Sequence, residues 1–127
     1  MRDEETQLHI AAVNLMRYCL PPGAVIHHTH NEGKRSKRDA GLAKAMGQRA
    51  GFADLMILHN SVAYFIEFKS AKGRQSQSQK DFEADVVAAG FPHYFIVRGI
   101  DELVGVLRAW GLMHRNVGNA GHTFVGR

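Results

Sequence analysis

Two short apolar runs, residues 52–58 and 62–69, are parted only by His59-Asn60-Ser61. Runs this short, joined by so few residues, are best satisfied by folding back on each other as a β-hairpin. The second run is not purely apolar, because Phe65-Ile66-Glu67-Phe68-Lys69 carries an acid and a base two positions apart. Side chains at that spacing on a strand point to one face. A turn near Asn60 then returns Asp54, at the start of the first run, to the side of Glu67 or Lys69. The pattern predicts two carboxylates and an ammonium on one partly buried strand surface.

Such a surface needs a reason, because a buried charge is costly unless it is paired or bound to metal. Two neighbouring carboxylates repel each other and suit a divalent cation. Mg²⁺ takes oxygen ligands and keeps several waters. It can polarise a phosphoryl oxygen and lower the pKa of a bound water. A lysine beside it can orient that water or stabilise developing charge. Spacing alone leaves a plainer alternative open, in which Asp54 caps the strand and Glu67 and Lys69 form a surface ion pair.

The remaining elements follow from periodicity and punctuation. Leu8, Ala11, Ala12, Leu15, Met16 and Cys19 recur at helical spacing, so residues 3–20 read as an amphipathic helix stopped by Pro21-Pro22-Gly23. A short strand is expected over 24–30 and a polar, basic loop over 31–38. A second helix over 39–46 would be capped by Asp39 and ended near Gly47. After the hairpin and a loop at 70–75, Ser76 with Gln79 three positions on has the spacing of a capping box and opens a helix over 76–89. Gly90 ends it. A strand over 93–98 and a helix over 101–110 complete the pattern. Residues 111–127 hold four glycines and little periodicity, and read as a loose tail behind a single domain of residues 1–110. This order suggests an α/β fold, a small mixed sheet flanked by helices.

Composition narrows the functional classes. A chain of 127 residues with 45% hydrophobic and 22% charged residues fits one ordinary globular core. No apolar run approaches the roughly 18 residues a spanning helix needs. Met1-Arg2-Asp3-Glu4-Glu5 does not open a signal peptide, so a cytoplasmic protein without a membrane partner is expected. The lone Cys19 excludes an intrachain disulfide and a thiolate cage.

The formal net charge of +4 and a pI near 9.5 favour an anionic partner. The cations are clustered. Lys34, Arg35, Lys37 and Arg38 lie within five positions, and Lys69, Lys72 and Arg74 follow the second apolar run. Such groups suit backbone phosphates, which bring affinity and salt dependence but no sequence readout. Arg98, at a strand end, could face phosphate or pair with Asp101 or Glu102. His28 and His30 share a strand face with no third ligand at zinc spacing, and His30-Asn31-Glu32 is expected to line the polyanion side instead. Gly73 sits where a turn or a close phosphate needs a residue without a side chain.

Several ordered motifs together resemble one family. They are Gly51-Phe52-Ala53-Asp54, then Phe65-Ile66-Glu67-Phe68-Lys69, then Gly73-Arg74-Gln75-Ser76-Gln77-Ser78-Gln79, then Phe95-Ile96-Val97-Arg98. This series, with the basic segment 33–38 and Met46-Gly47-Gln48-Arg49-Ala50-Gly51, resembles the VRR-NUC family of the PD-(D/E)XK nuclease superfamily. The basic segment and residues 46–51 also resemble its small stand-alone members, many of them from phages, and the likeness runs from about Glu4 to Leu107.

The resemblance implies a restriction-endonuclease-like fold and metal-dependent hydrolysis of DNA, with Mg²⁺ or Mn²⁺ as cofactor and a 5′ phosphate on the product. Asp54 and Glu67 would hold the metal, together with the backbone carbonyl of Phe68. Lys69 would position or activate the attacking water. Gln79 would lie beside the lysine and the substrate phosphate. Glu5, or its neighbour Glu4, would be an outer carboxylate of the first helix. Similar stand-alone members imply a homodimer acting on branched DNA such as four-way (Holliday) junctions. The sequence departs from the family where Ala53 replaces a proline and His9 replaces a glutamine. Flap cleavage, nicking, a non-catalytic DNA-binding module and a small protein-binding domain remain the competing readings.

Overall fold

The computed structural model describes residues 3–29 and 37–114. Its elements run α1 (Glu4–Cys19), β1 (Val25–His28), α2 (Lys37–Ala45), β2 (Leu55–His59), β3 (Val62–Phe68), α3 (Gln77–Ala88), β4 (Tyr94–Val97) and α4 (Ile100–Ala109). The strands form one sheet in the order β1-β2-β3-β4. The first two pairings are antiparallel and β3–β4 is parallel, so α3 serves as the crossover that a parallel pair requires. This is a mixed sheet flanked by helices, consistent with a restriction-endonuclease-like core. No described helix is long and apolar enough to cross a membrane.

The hairpin forms as its sequence demands. Asn60 and Ser61 both have positive φ, 51° and 65°, the conformation that a two-residue turn needs to match strand twist. Asn tolerates that region through its short polar side chain. The turn fixes the register at Leu55↔Ile66 and His59↔Val62.

β3 is one of the two interior strands, and its side chains alternate between two cores. Tyr64, Ile66 and Phe68 face the larger one, with Ala12, Met16 and Cys19 of α1 and Leu103, Val106 and Leu107 of α4. Ala63 and Phe65 face the smaller one, with Phe82 of α3 and Ala53. The row Ala63, Phe65, Glu67, Lys69 therefore begins in an apolar cluster and runs into two charged residues, both buried.

Helix ends are built from local chemistry. The Asp3 carboxylate caps α1 by accepting the Thr6 N–H at 2.8 Å. At α3 the capping box is complete. Ser76 accepts the Gln79 N–H, and the Gln79 side chain accepts the Ser76 N–H at 2.8 Å. Gly51 (φ +80°) lies so close to this helix start that a Cβ there would come within 2.2 Å of the Ser78 carbonyl oxygen.

Three expectations need correcting. α2 starts at Lys37, so Asp39 lies in its first turn, where a negative charge still meets the helix dipole favourably, and it does not cap the helix. β2 starts at Leu55, because residues 52–54 lead into the strand and do not pair along it; Phe52 packs instead on Phe82, ring centroids 4.4 Å apart. Ordered packing continues past residue 110. Leu112 is buried and the His114 N–H donates to the Cys19 carbonyl at 2.7 Å, so the chain end of α4 is sewn to the end of α1. Residues 115–127 lie outside the described residues.

Candidate active site

Three elements converge at one end of the sheet. Asp54 stands one residue before β2, a step beyond the Leu55–Ile66 pair, which sets it across from Glu67. Its Oδ2 accepts the Phe68 N–H at 2.7 Å. Its own carbonyl accepts the Thr29 N–H at 2.9 Å, which ties the end of β1 to the same point. Burial raises the pKa of Asp54, and the Phe68 N–H bond works against that rise; Glu67 and Glu5 push it further up while Lys69 pulls it down. The carboxyl therefore sits where ionisation is resisted and a cation would relieve it.

Glu67 has no solvent exposure, and this decides against an ordinary surface ion pair. Its Oε1 accepts the Tyr94 hydroxyl at 2.5 Å and the Gln75 amide at 3.1 Å. Its Oε2 is buried and has no hydrogen-bond partner. The Lys69 ammonium lies 3.6 Å from that oxygen, with its own side chain only 11% exposed. A buried carboxylate oxygen left without a donor is costly. It is also what a ligand site for a cation requires.

Glu5, not the exposed Glu4, reaches this region from α1. Its Oε2 accepts the Ser70 N–H at 3.4 Å and lies within 3.2 Å of where a Gly73 Cβ would be. A side chain at Gly73 would require the Glu5 and Ser70 side chains to give by a few tenths of an ångström. A cavity of about 180 Å³ is lined by Glu5, Thr6, His9, His28, Thr29, Asp54 and Phe68. His9, where the family pattern has glutamine, packs on Phe68 and meets His28 edge-on, both centroid distances 4.7 Å. Burial, followed by the charge of His28, lowers the pKa of His9.

Other expected site residues are distributed as follows. Gln79 spends its side-chain carbonyl on the α3 capping box, and the amide that touches Glu67 belongs to Gln75. Lys72 and Arg74 are exposed on the loop after β3, and Lys37 and Arg38 are exposed at the start of α2. Arg98 is exposed and reaches the loop that follows β3. Its guanidinium donates to the Ser70 and Gly73 carbonyls, each at 2.7 Å, and Glu102 accepts the Arg98 backbone N–H. Arg98 and Glu5 thus clamp the 70–74 loop from two sides. Lys34, Arg35, His30, Asn31 and Glu32 lie outside the described residues.

Sequence reasoning missed Tyr94 and Gln75. A signal for Tyr94 was present, since it is the one hydroxyl in the run Tyr94-Phe95-Ile96-Val97, and a buried Tyr hydroxyl seeks a partner.

Among the described residues, no group of three or more His, Cys, Asp and Glu side chains is arranged to hold a metal ion. A full protein cage is not what Mg²⁺ needs, because it is held by one or two carboxylates and retains waters. Asp54 and the unpartnered oxygen of Glu67 fit that requirement.

No known family profile matches the sequence, and no curated protein is similar to it. Among solved structures, a VRR_NUC domain protein superposes on 87% of this chain and 90% of its own, with a TM-score of 0.68 and 21% sequence identity. The chain has the fold of that VRR_NUC domain protein.

Proposed function

We propose that the chain is a metal-dependent endonuclease that hydrolyses DNA phosphodiester bonds. The observation that carries this reading is Glu67, wholly buried, with one oxygen lacking a donor and Lys69 beside it. The likeness in fold to a VRR_NUC domain protein supports it.

Asp54 and Glu67, with the Phe68 carbonyl, would hold Mg²⁺ or Mn²⁺. When bound, the ion supplies Lewis acidity toward a phosphoryl oxygen and lowers the pKa of a water it holds. Lys69 orients the attacking water and offsets negative charge that builds on the phosphate. Glu5 accepts a hydrogen bond from a second water and holds the loop that follows β3. Gln79 sits on the first turn of α3, and with its backbone N–H and side-chain oxygen engaged in the capping box, its side-chain amide N–H groups would be the donors to a substrate phosphate. Lys72 and Arg74, with Lys34, Arg35, Lys37 and Arg38, contact the DNA backbone, and Arg98 fixes the loop that presents the first two.

One small domain offers one active centre, and cutting both strands needs two. A two-fold homodimer acting on branched DNA, four-way junctions in particular, meets that need. Its selectivity would come from the spacing and angle of the two centres. A phage-type, stand-alone enzyme working in the cytoplasm accords with the sequence resemblance.

The test is cleavage of end-labelled four-way junction and matched linear duplex with Mg²⁺, Mn²⁺ or chelator, by wild type and Lys69→Ala. Expected is metal-dependent cutting that prefers the junction and falls at least about 100-fold in Lys69→Ala, the loss typical for a single charge-stabilising group. Equal cutting of both DNAs removes the junction preference and keeps the chemistry. Binding without cutting under every metal condition turns the reading to a DNA-binding module.

A further inference from the structure

The two oxygens of Glu67 are treated differently by the protein. Oε1 is saturated, with the Tyr94 hydroxyl at 2.5 Å and the Gln75 amide at 3.1 Å. Oε2 has no hydrogen-bond donor. The asymmetry is built in from several directions. The Gln75 Nε2 donates also to the Glu83 carboxylate on α3 at 3.0 Å, so both of its protons are engaged and the amide cannot turn freely. Tyr94 pairs with Phe65 in the parallel register, stacks on the Phe65 ring at 6.3 Å and meets Phe82 at 6.2 Å. The Tyr94 hydroxyl is the donor in its bond to the carboxylate, and the ring packing holds it there.

A carboxylate with both oxygens free can grip a cation with both. Ca²⁺ accepts such two-oxygen binding readily in its flexible shell of six to eight ligands, whereas Mg²⁺ demands near-octahedral single-oxygen ligation. We infer that Tyr94 and Gln75 are positioning residues that make Glu67 a one-oxygen ligand, and so bias the centre toward Mg²⁺ and Mn²⁺ over Ca²⁺. The inference rests on the metal-dependent reading above and extends it to the choice of ion. Neither residue touches the cation, and both act through Glu67 Oε1.

The test is binding, not catalysis. Isothermal titration calorimetry with Mn²⁺ and with Ca²⁺, without DNA, compares wild type, Tyr94→Phe and Gln75→Leu. Tyr94→Phe keeps the ring that packs on Phe65 and Phe82, and Gln75→Leu reaches the same oxygen independently should the first variant not fold. Loss of a group that orients a ligand typically costs 10- to 100-fold in metal affinity. Expected is a fall of about that size for Mn²⁺ and a clearly smaller fall for Ca²⁺, which narrows the discrimination between them. Unchanged Mn²⁺ affinity in a folded variant, or equal losses for both ions, overturns the inference and leaves the nuclease reading standing. A wild type that binds neither ion overturns both.

Discussion

Burial raises the pKa of Asp54 more than its bond to the Phe68 N–H lowers it, and two further carboxylates add to the rise. A group whose pKa is raised on folding stabilises the fold below its unfolded pKa, about 3.9 for Asp, and loses that contribution as pH rises through the folded value. At neutral pH without cation, ionised Asp54 therefore works against the fold. Asp54→Asn is expected to raise the melting temperature at pH 7 in chelator, with the gain vanishing below about pH 4. The same variant should lose the stabilisation that Mn²⁺ gives the wild type. A lower melting temperature at pH 7 in chelator would mean that the bonds of Asp54 outweigh its desolvation. At this scale the sequence was legible where chemistry is local. The placing of Asp54, Glu67 and Lys69 side by side was readable because strand alternation and one short turn suffice to bring them together. Gln75 and Tyr94 were not, because the first depends on the course of a loop and the second on a parallel pairing reached through a whole helix.

At the level of elements, α3 is positioned by what lies against its first turn. Gly51 and Gly90 both have positive φ, +80° and +103°, yet only Gly51 is crowded; a Cβ on Gly90 would meet open space. Gly90→Ala should carry only the strain of a left-handed alanine, about 1 kcal/mol. Gly51→Ala adds a collision with the backbone of Ser78 and should cost at least about 2 kcal/mol, or roughly 8 °C in melting temperature. Thermal denaturation of the two variants side by side checks this, and equal losses would show that the Gly51 backbone can move away. The capping box at Ser76 and Gln79 was readable from spacing, and so was the helix it opens. The start of α2 was not, because Asp39 is as acceptable in a first turn as at a cap, and no apolar stripe fixes the register of a helix without buried residues. The packed segment beyond Trp110 was hidden by glycine content, although Leu112 lies in the main core and Met113 packs against it.

For the molecule as a whole, charge sets the expected response to salt. Each cation that neutralises a DNA phosphate contributes about 0.9 to the slope of log affinity against log salt for duplex DNA. Lys72→Ala and Arg74→Ala are each expected to weaken binding evenly across sequences and to flatten that slope by about this amount. Arg49→Ala should leave the slope unchanged, since Arg49 is paired with Asp85 at 2.7 Å. Fluorescence anisotropy in chelator measures the slopes without cutting, and unchanged slopes in Lys72→Ala and Arg74→Ala would remove the 70–74 loop from the DNA surface.

The parallel pairing of β4 has a consequence for the order of assembly. Asp54 and Glu67 are thirteen residues apart, and the hairpin that joins them can close on a microsecond scale. Tyr94 reaches Glu67 only after α3 has formed and carried the chain across to the far side of β3. Until then water can serve both oxygens of Glu67. Docking of β4 is thus a long-range closure of the sheet and also the step at which one oxygen of the carboxylate exchanges its hydration for a hydroxyl, while the other is left without a donor.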